Sequence, residues 1–401
     1  MVSVSIFTVI VAIDVKIPLD AGNSPNGLIA TKLTTRLLTS GTDRIRKAVK
    51  TLVTWGQSAW ANILRLIKHM ICFLVKPIDS SETQRGTSNS MECSNLGGRV
   101  ADPKEWESFS QWFVGFVDGD GSFTFSKSNG KWSLFFKVSQ STYNLRVLHY
   151  IKSQLAVGSI VVDTGNNMAS FRIRRISQVI SVILPIFDQY PLLTSKFYNY
   201  DLFKRAALIM NDNTLSMVEK DTLLIALKTL SNCTPVDYVS PAWSLVDNMV
   251  IDVKHATDVM SKYWLVGFVE AEGSFFLTAK SPGRLVHSFA LTQKLDIIVI
   301  SAIALILHTK VLIKPTYFAV EITKATTIKF IIEYFNNTMK GMKSVEYRIW
   351  ARSFAKLPRP TDVRFIYLTD IRSKLRSLRS KRHHANLKLS HIKTPFAPRV
   401  Y

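Results

Sequence analysis

Two acidic residues of this 401-residue sequence stand at matched places in matched surroundings. Residues 113–121 read FVGFVDGDG and residues 265–273 read LVGFVEAEG, so Asp120 and Glu272 each come one position before a closing glycine. Read as helices, both stretches carry small residues four apart, Gly115 with Gly119 and Gly267 with Ala271. Phe113, Phe116 and Val117 ring the first pair; Leu265, Phe268 and Val269 ring the second. Small residues at that spacing leave a groove into which another helix backbone can press, and the natural partner of each copy is the other. Asp120 and Glu272 then fall at helix C-termini, followed by Gly121 and Gly273, which can take the left-handed conformation that ends a helix. An acid there opposes the helix macrodipole by about 0.3–1 kcal/mol, and two acids brought together repel. Divalent cations between them offset both costs and point to metal-assisted chemistry. A single DG or EG after an apolar helix is ordinarily a helix end with a solvated acid; two copies at domain spacing argue against that.

The elements around the acids repeat as well. Trp112 and Trp264 precede the two copies, Ser122-Phe123 and Ser274-Phe275 follow them, and the run from Phe136 to Gln140 parallels that from Phe289 to Gln293. Apolar helical patterns come next, Leu145 to Leu155 and Ile297 to Leu307, and further on Lys196 and Lys343 open similar helical segments. Leu134–Ser139 and Val286–Thr292 read as half-buried strands. The alternation Phe171-Arg172-Ile173-Arg174 places both arginines on one strand face and both apolar residues on the other. Each repeat is therefore predicted as helix, two strands, helix, two strands and more helix, an α+β layer with one sheet face packed and one polar.

Lysine and arginine number 51 against 29 acids, a formal net charge of +22. Such an excess draws polyanions, nucleic acid before an acidic membrane surface. The three cysteines, Cys72, Cys93 and Cys233, are too dispersed for a zinc site or a disulfide framework. The apolar stretch from Val2 to Ile13 is too short to span a bilayer, and Leu52 to Val75 is interrupted by Arg65, Lys68 and His69, so no membrane span is expected.

The paired stretches FVGFVDGDG and LVGFVEAEG resemble the two LAGLIDADG motifs of single-chain homing endonucleases, most of which are encoded in organellar introns. The resemblance covers about residues 108–357. Leu184 to Pro191 and Trp264 to Gly273 are most similar to intron-encoded enzymes of mitochondrial cytochrome genes, a subgroup that also assists splicing. This likeness implies an α+β fold of two pseudo-symmetric αββαββα domains, packed through the motif helices, whose sheets form a DNA-binding β-saddle in the major groove. It implies Mg2+ held by Asp120 and Glu272, with peptide oxygens of Gly119 and Ala271 as further ligands, and hydrolysis of both strands across the minor groove to leave short 3′ overhangs. Gln140 and Gln293 match residues that position water, and Lys196 and Lys343 match basic residues near the active sites; an ordinary strand end and a solvated charge are the plainer alternatives. Asp118 and Glu270 read as capping or interface residues rather than ligands. Asn144 stands where the second copy has an acid, Asp296. The candidate DNA-contacting residues are Ser122, Thr124, Ser126, Lys127, Lys137, Arg172 and Arg174 in the first copy. In the second they are Ser274, Thr278, Lys280, Arg284, His287 and Lys314.

The expected organisation is an N-terminal extension of uncertain fold over 1–100, a first domain over 101–233, a linker over 234–258, a second domain over 259–357 and a basic tail over 358–401. The extension carries a basic amphipathic stretch from Arg44 to Lys76. After Asp370 the tail holds nine Lys or Arg and no acid; a disordered phosphate-binding arm, an RNA-binding extension and a plain solvated tail all suit it. The function so implied is site-specific cleavage of double-stranded DNA by a monomer encoded in an organellar group I intron. An RNA maturase acting on that group I intron RNA, alone or in addition, is the alternative. A transcriptional regulator would not need the acid pair, and the termini do not suit an intein. No arginine-rich transit peptide opens the sequence, so synthesis inside the organelle is expected, in the mitochondrion first and the chloroplast second.

Overall fold

The computed structural model describes residues 102–384, except 232, 233, 236 and 359. The extension over 1–100 with its amphipathic stretch, the three cysteines and the chain end beyond 384 lie outside the described residues.

Asp102 accepts the N–H of Lys104 and Pro103 occupies the first turn, so helix α1 (Pro103–Asp120) begins sharply. It leads into strands β1 (Gly121–Ser128) and β2 (Lys131–Ser141), helix α2 (Leu145–Leu155), and strands β3 (Ser159–Asp163) and β4 (Met168–Ile173). The helical run Ile176–Gln178, Val179–Ile183 and Leu184–Gln189 (α3), whose middle turn is π-type, and helices α4 (Lys196–Asn211) and α5 (Met217–Leu230) complete the first repeat. After the 3-10 turn Pro241–Val246 and α6 (Val253–Val259), the second repeat runs α7 (Lys262–Glu272), β5 (Ser274–Ser281), β6 (Arg284–Gln293) and α8 (Ile297–Ile306). It continues through β7 (Leu312–Ile313), β8 (Phe318–Ile322), α9 (Ala325–Tyr334), α10 (Lys343–Ala355) and α11 (Thr361–His384). The two antiparallel sheets have the same order, β1-β2-β4-β3 and β5-β6-β8-β7. Among the described residues no helix is long and apolar enough to cross a membrane.

Strand alternation and register sort each sheet into two faces. In the first, Phe123, Phe136 and Ile173 align on the face covered by helices, and Ser122, Lys137 and Arg172 align on the other. Arg174 continues that open face, its guanidinium 3.9 Å from the Phe135 ring centroid. In the second, Phe275, Leu277, Phe289, Leu291, Val320 and Ile322 are buried, while Ser274, Thr278 and Arg284 belong to the opposite face.

Two residues expected to contact DNA fall on the helix-covered side of their sheets instead of the open one. Lys127 shares the parity of Phe123 and Phe125, and its ammonium pairs with Asp221 of α5 at 2.5 Å. His287 shares the parity of Phe289 and Leu291; it lies buried against Trp350 and Phe354, with Nε2 2.8 Å from Ser353 Oγ. Burial pushes the His287 imidazole down from 6.5 to about 4. The unfolded chain therefore binds a proton over that interval and the folded chain does not. Stability is complete above about 6.5 and is lost as the pH falls toward 4, by up to about 3 kcal/mol. Replacement by glutamine, which keeps a polar contact to Ser353, is expected to flatten this slope in urea unfolding measured from pH 4 to 7.

The basic stretch after Asp370 is not a free arm as far as Arg379. Its 24-residue helix α11 buries Leu368, Ile371 and Leu375 against the second repeat. Arg379 donates from Nη2 to the Phe275 carbonyl (2.6 Å) and from Nε to the buried Glu346 carboxylate (3.1 Å). The helix also reaches the Thr142–Asn144 turn of the first repeat. A chain ended after Leu357, where the repeat resemblance stops, is expected to lose at least about 4 kcal/mol from these three apolar side chains alone, read as a fall in thermal midpoint. Within the linker, Trp243 is fully buried and donates to the Leu193 carbonyl at 2.8 Å.

The two repeats join through α1 and α7. A Cβ on Gly115 would stand 2.0 Å from the Trp264 carbonyl oxygen, and one on Gly267 would stand 2.0 Å from the Trp112 carbonyl oxygen. One on Gly119 would lie 2.4 Å from Ala271 Cβ. The expected groove is present and filled by the other helix's backbone. The closing glycines act differently from expectation. Gly121 and Gly273 are extended (φ −84° and −71°), and a side chain there would strike Val117 or Val269 one turn back. Space, not left-handed φ, demands glycine.

Candidate active site

The α1–α7 crossing brings the ends of both helices together, and with them Asp120 and Glu272. Glu272 is partly buried, and burial first and the Asp120 charge second raise its pKa. Lys196 and Lys343, the first residues of α4 and α10, extend into the same region. Lys196 Nζ donates to the carbonyls of Val117 (2.9 Å) and Gly119 (2.7 Å); Lys343 Nζ donates to those of Ala271 (3.4 Å) and Gly273. These are the helix-terminal carbonyls, where cations belong. Burial lowers the Lys196 pKa, against the carboxylates of Asp118, Asp120, Glu272 and Asp296, which raise it. From β2, Gln140 Nε2 donates to Asp120 Oδ2 at 2.5 Å, and Asn144 Nδ2 donates to Gln140 Oε1 at 2.8 Å. Gln293 ends β6 at the corresponding place. A cleft of about 450 Å³ opens beside Asp120, lined by Gln140, Asn144, Asn166, Ala271 and Lys343 among others.

The first acid of each motif does separate work. Asp118 accepts from Trp264 Nε1 of the other helix (2.9 Å), from the N–H groups of Leu193 (2.8 Å) and Thr194 (3.3 Å), and from Thr194 Oγ1 (2.5 Å). Glu270 reciprocates, accepting from Trp112 Nε1 (3.0 Å) and from the N–H groups of Lys340 and Gly341. Burial raises Asp118 to about 6 even though these donors pull the other way; burial likewise raises Glu270. Both carboxylates lock the helix pair and the chain just before α4 or α10. The capping and interface reading of their sequence matches this geometry. The tryptophans were visible as matched residues, but nothing local indicated that each would bind the other repeat's acid.

The donors around Asp120 and Glu272 are two carboxylates and the peptide oxygens of Gly119 and Ala271. All are hard oxygen ligands, and the Asp120 charge acting on Glu272 is one that a divalent cation would relieve. Among the described residues no group of three or more His, Cys, Asp or Glu forms a closed cage, so a cation held here would complete its shell with other oxygens. The lysine contacts to Gly119 and Ala271 show that those oxygens already face positive charge.

The sequence pattern described as LAGLIDADG endonuclease matches residues 113–207 and 265–354, one copy in each repeat. A Schizosaccharomyces pombe protein named "Probable intron-encoded endonuclease Cox1-I1b" is 37% identical over 292 residues, spanning 68% of this chain and 70% of that protein. The chain belongs to the LAGLIDADG endonuclease family. "Uncharacterized mitochondrial protein RF1" of Saccharomyces cerevisiae is 33% identical over 196 residues, 47% of this chain and only 36% of that protein. Among solved structures, the meganuclease I-SmaMI bound to uncleavable DNA aligns with a TM-score of 0.55 at 23% identity, over 67% of this chain and 97% of its own. I-SmaMI has also been solved on cleaved DNA (TM-score 0.53, 21% identity, 69% and 98% covered). With uncleaved DNA and calcium ions it gives 0.54 at 22% identity, with 68% and 98% covered. The I-SmaMI structures thus share the fold of this chain.

Proposed function

We propose that this LAGLIDADG endonuclease is a monomeric homing enzyme that cuts both strands of a specific DNA site. The observation that carries this is the paired carboxylates of Asp120 and Glu272 at the α1–α7 crossing, between two sheets whose open faces bear Ser122, Lys137 and Arg172 or Ser274, Thr278 and Arg284. The intron-encoded relative and the DNA-bound structures support the substrate class. The mitochondrial relative supports expression in that organelle, and the intron-encoded relative supports an intron as its origin. Asp120 and Glu272, with the peptide oxygens of Gly119 and Ala271, would hold Mg2+. When bound, the cations would supply polarisation of the phosphate and activation of the attacking water. The chain's own side chains do the rest: Gln140 orients the Asp120 carboxylate, and Lys196 and Lys343 place positive charge where phosphate charge builds.

The open sheet faces supply phosphate and base-edge contacts. Arg172→Ala is expected to weaken target binding several-fold and flatten its salt dependence, whereas Lys127→Ala, on the helix-covered face, leaves both unchanged in a filter-binding titration at two salt concentrations. The deciding assay is linearisation of a plasmid carrying the joined exons of the host gene, with magnesium. Cutting within that junction supports the reading. Binding without cutting transfers the role to splicing of the intron RNA, and rescue of intron splicing becomes the assay.

A further inference from the structure

Asn144 and Asp296 hold the N-cap positions of α2 and α8, where such side chains normally accept an N–H from their own first turn. Neither does. Asp296 reaches into the first repeat and accepts the Ser195 N–H (2.6 Å) and the Ser195 hydroxyl (3.1 Å). Asn144 reaches into the second repeat and accepts the Met342 N–H (2.8 Å). Ser195 and Met342 are the N-caps of α4 and α10, and neither caps its own helix through a side chain. The residues that follow them are Lys196 and Lys343. Asp296 moreover sits at φ 65°, a left-handed conformation that costs a non-glycine residue energy. Two helix caps have therefore been exchanged between repeats, with local rules broken at both ends.

We propose that Asn144 and Asp296 are positioning residues, each fixing the active-site lysine of the opposite repeat, so that neither half completes its lysine without the other docked. This rests on the reading of Lys196 and Lys343 given above. The two links differ in kind. Asp296 makes a charge-assisted bond, the stronger type. Asn144 is neutral but also donates to Gln140, which donates to Asp120, so one chain of hydrogen bonds runs from the first repeat's acid to the second repeat's lysine helix.

The test uses the full chain and two readouts. The first is acylation of each lysine by an N-hydroxysuccinimide acetate at pH 8, followed by mass spectrometry. Asp296→Ala is expected to raise acylation of Lys196 about fivefold while leaving Lys343 near the wild-type rate, and Asn144→Ala to do the reverse. Asp296→Asn keeps an acceptor and stays near wild type at both lysines. The second readout is strand-specific nicking of an end-labelled target. Each alanine variant slows one strand by about tenfold, the two variants affecting opposite strands, and Asp296→Asn recovers most of the loss. Equal changes at both lysines, or none, overturn the proposal. If wild type does not cut at all, the endonuclease reading fails while the acylation contrast still decides the caps. Should Asp296→Ala not fold, Asn144→Ala against Asn144→Asp gives the same contrast at Lys343.

Discussion

Asp120→Asn and Glu272→Gln are each expected to reduce double-strand cleavage by at least about a thousandfold while leaving target binding in place. Both substitutions nearly keep size and remove the charge, exchanging one acceptor oxygen for an NH2 donor. The amide oxygen introduced by Asp120→Asn can still accept from Gln140, so the local packing at the end of α1 survives. What disappears is the anionic oxygen needed to hold a divalent cation. Glu272→Gln removes a charge that burial and Asp120 disfavour more than Lys196 and Lys343 favour it. The thermal midpoint of that variant is therefore expected to hold or rise. Lost cleavage with retained stability separates chemistry from folding. Conversion of supercoiled plasmid to linear product by either variant at near wild-type rate would remove these acids from the mechanism.

Gly267→Val and Gly115→Ala are expected to cost a large share of the stability of the helix pair. The added Cβ would stand 2.0 Å from a carbonyl oxygen on the facing helix, Trp112 for Gly267 and Trp264 for Gly115. Neither obstacle is a flexible side-chain end; both are backbone, inside a helix whose carbonyl is committed. The helices must separate, which opens the packing of Phe113, Phe116, Val117, Leu265, Phe268 and Val269 and pulls Trp112 and Trp264 away from Glu270 and Asp118. A loss of about 4 kcal/mol or more is expected, or roughly 10 °C in thermal midpoint for a folded region of this size. Gly130→Ala is the control. Gly130 has nothing within 4 Å but sits at φ +75°, so its substitution costs only about 1 kcal/mol of backbone strain. Equal midpoints for Gly267→Val and Gly130→Ala would mean that the helix contact is not what joins the repeats. Because Asp120 and Glu272 sit at the far end of the same contact, the Gly267 variant should also lose cleavage at temperatures where it remains folded.

Some of what the structure corrected was written in the sequence and outweighed by residue type. Lys127 and His287 are polar, and polarity suggested the open face. Yet each keeps the two-residue period of its apolar neighbours, Phe123 and Phe125 in one case, Phe289 and Leu291 in the other. Period decides face in a strand, and a polar residue on the packed side finds a partner there, Asp221 or Ser353. The tail shows the same conflict. Its basic composition hid Leu368, Ile371 and Leu375, which recur at helical spacing and bury themselves.

By itself the sequence determined the duplication, the helix–strand order of each copy, the close packing of two glycine-bearing helices and the two acids at their ends. Each of these follows from spacing within a short segment or from comparison of one segment with its copy. Only the tertiary structure decided how the halves are fastened: Trp112 to Glu270, Trp264 to Asp118, Asp296 to Ser195 and Asn144 to Met342. Those partners are 101 to 198 residues apart, and no local preference announces them. Asn144 and Asp296 even occupy positions whose ordinary use is to cap their own helices. They meet other partners because docking α1 on α7 partly buries the helix beginnings at Ser195 and Met342, where an N–H screened from water and left without an acceptor costs more than a forgone local cap.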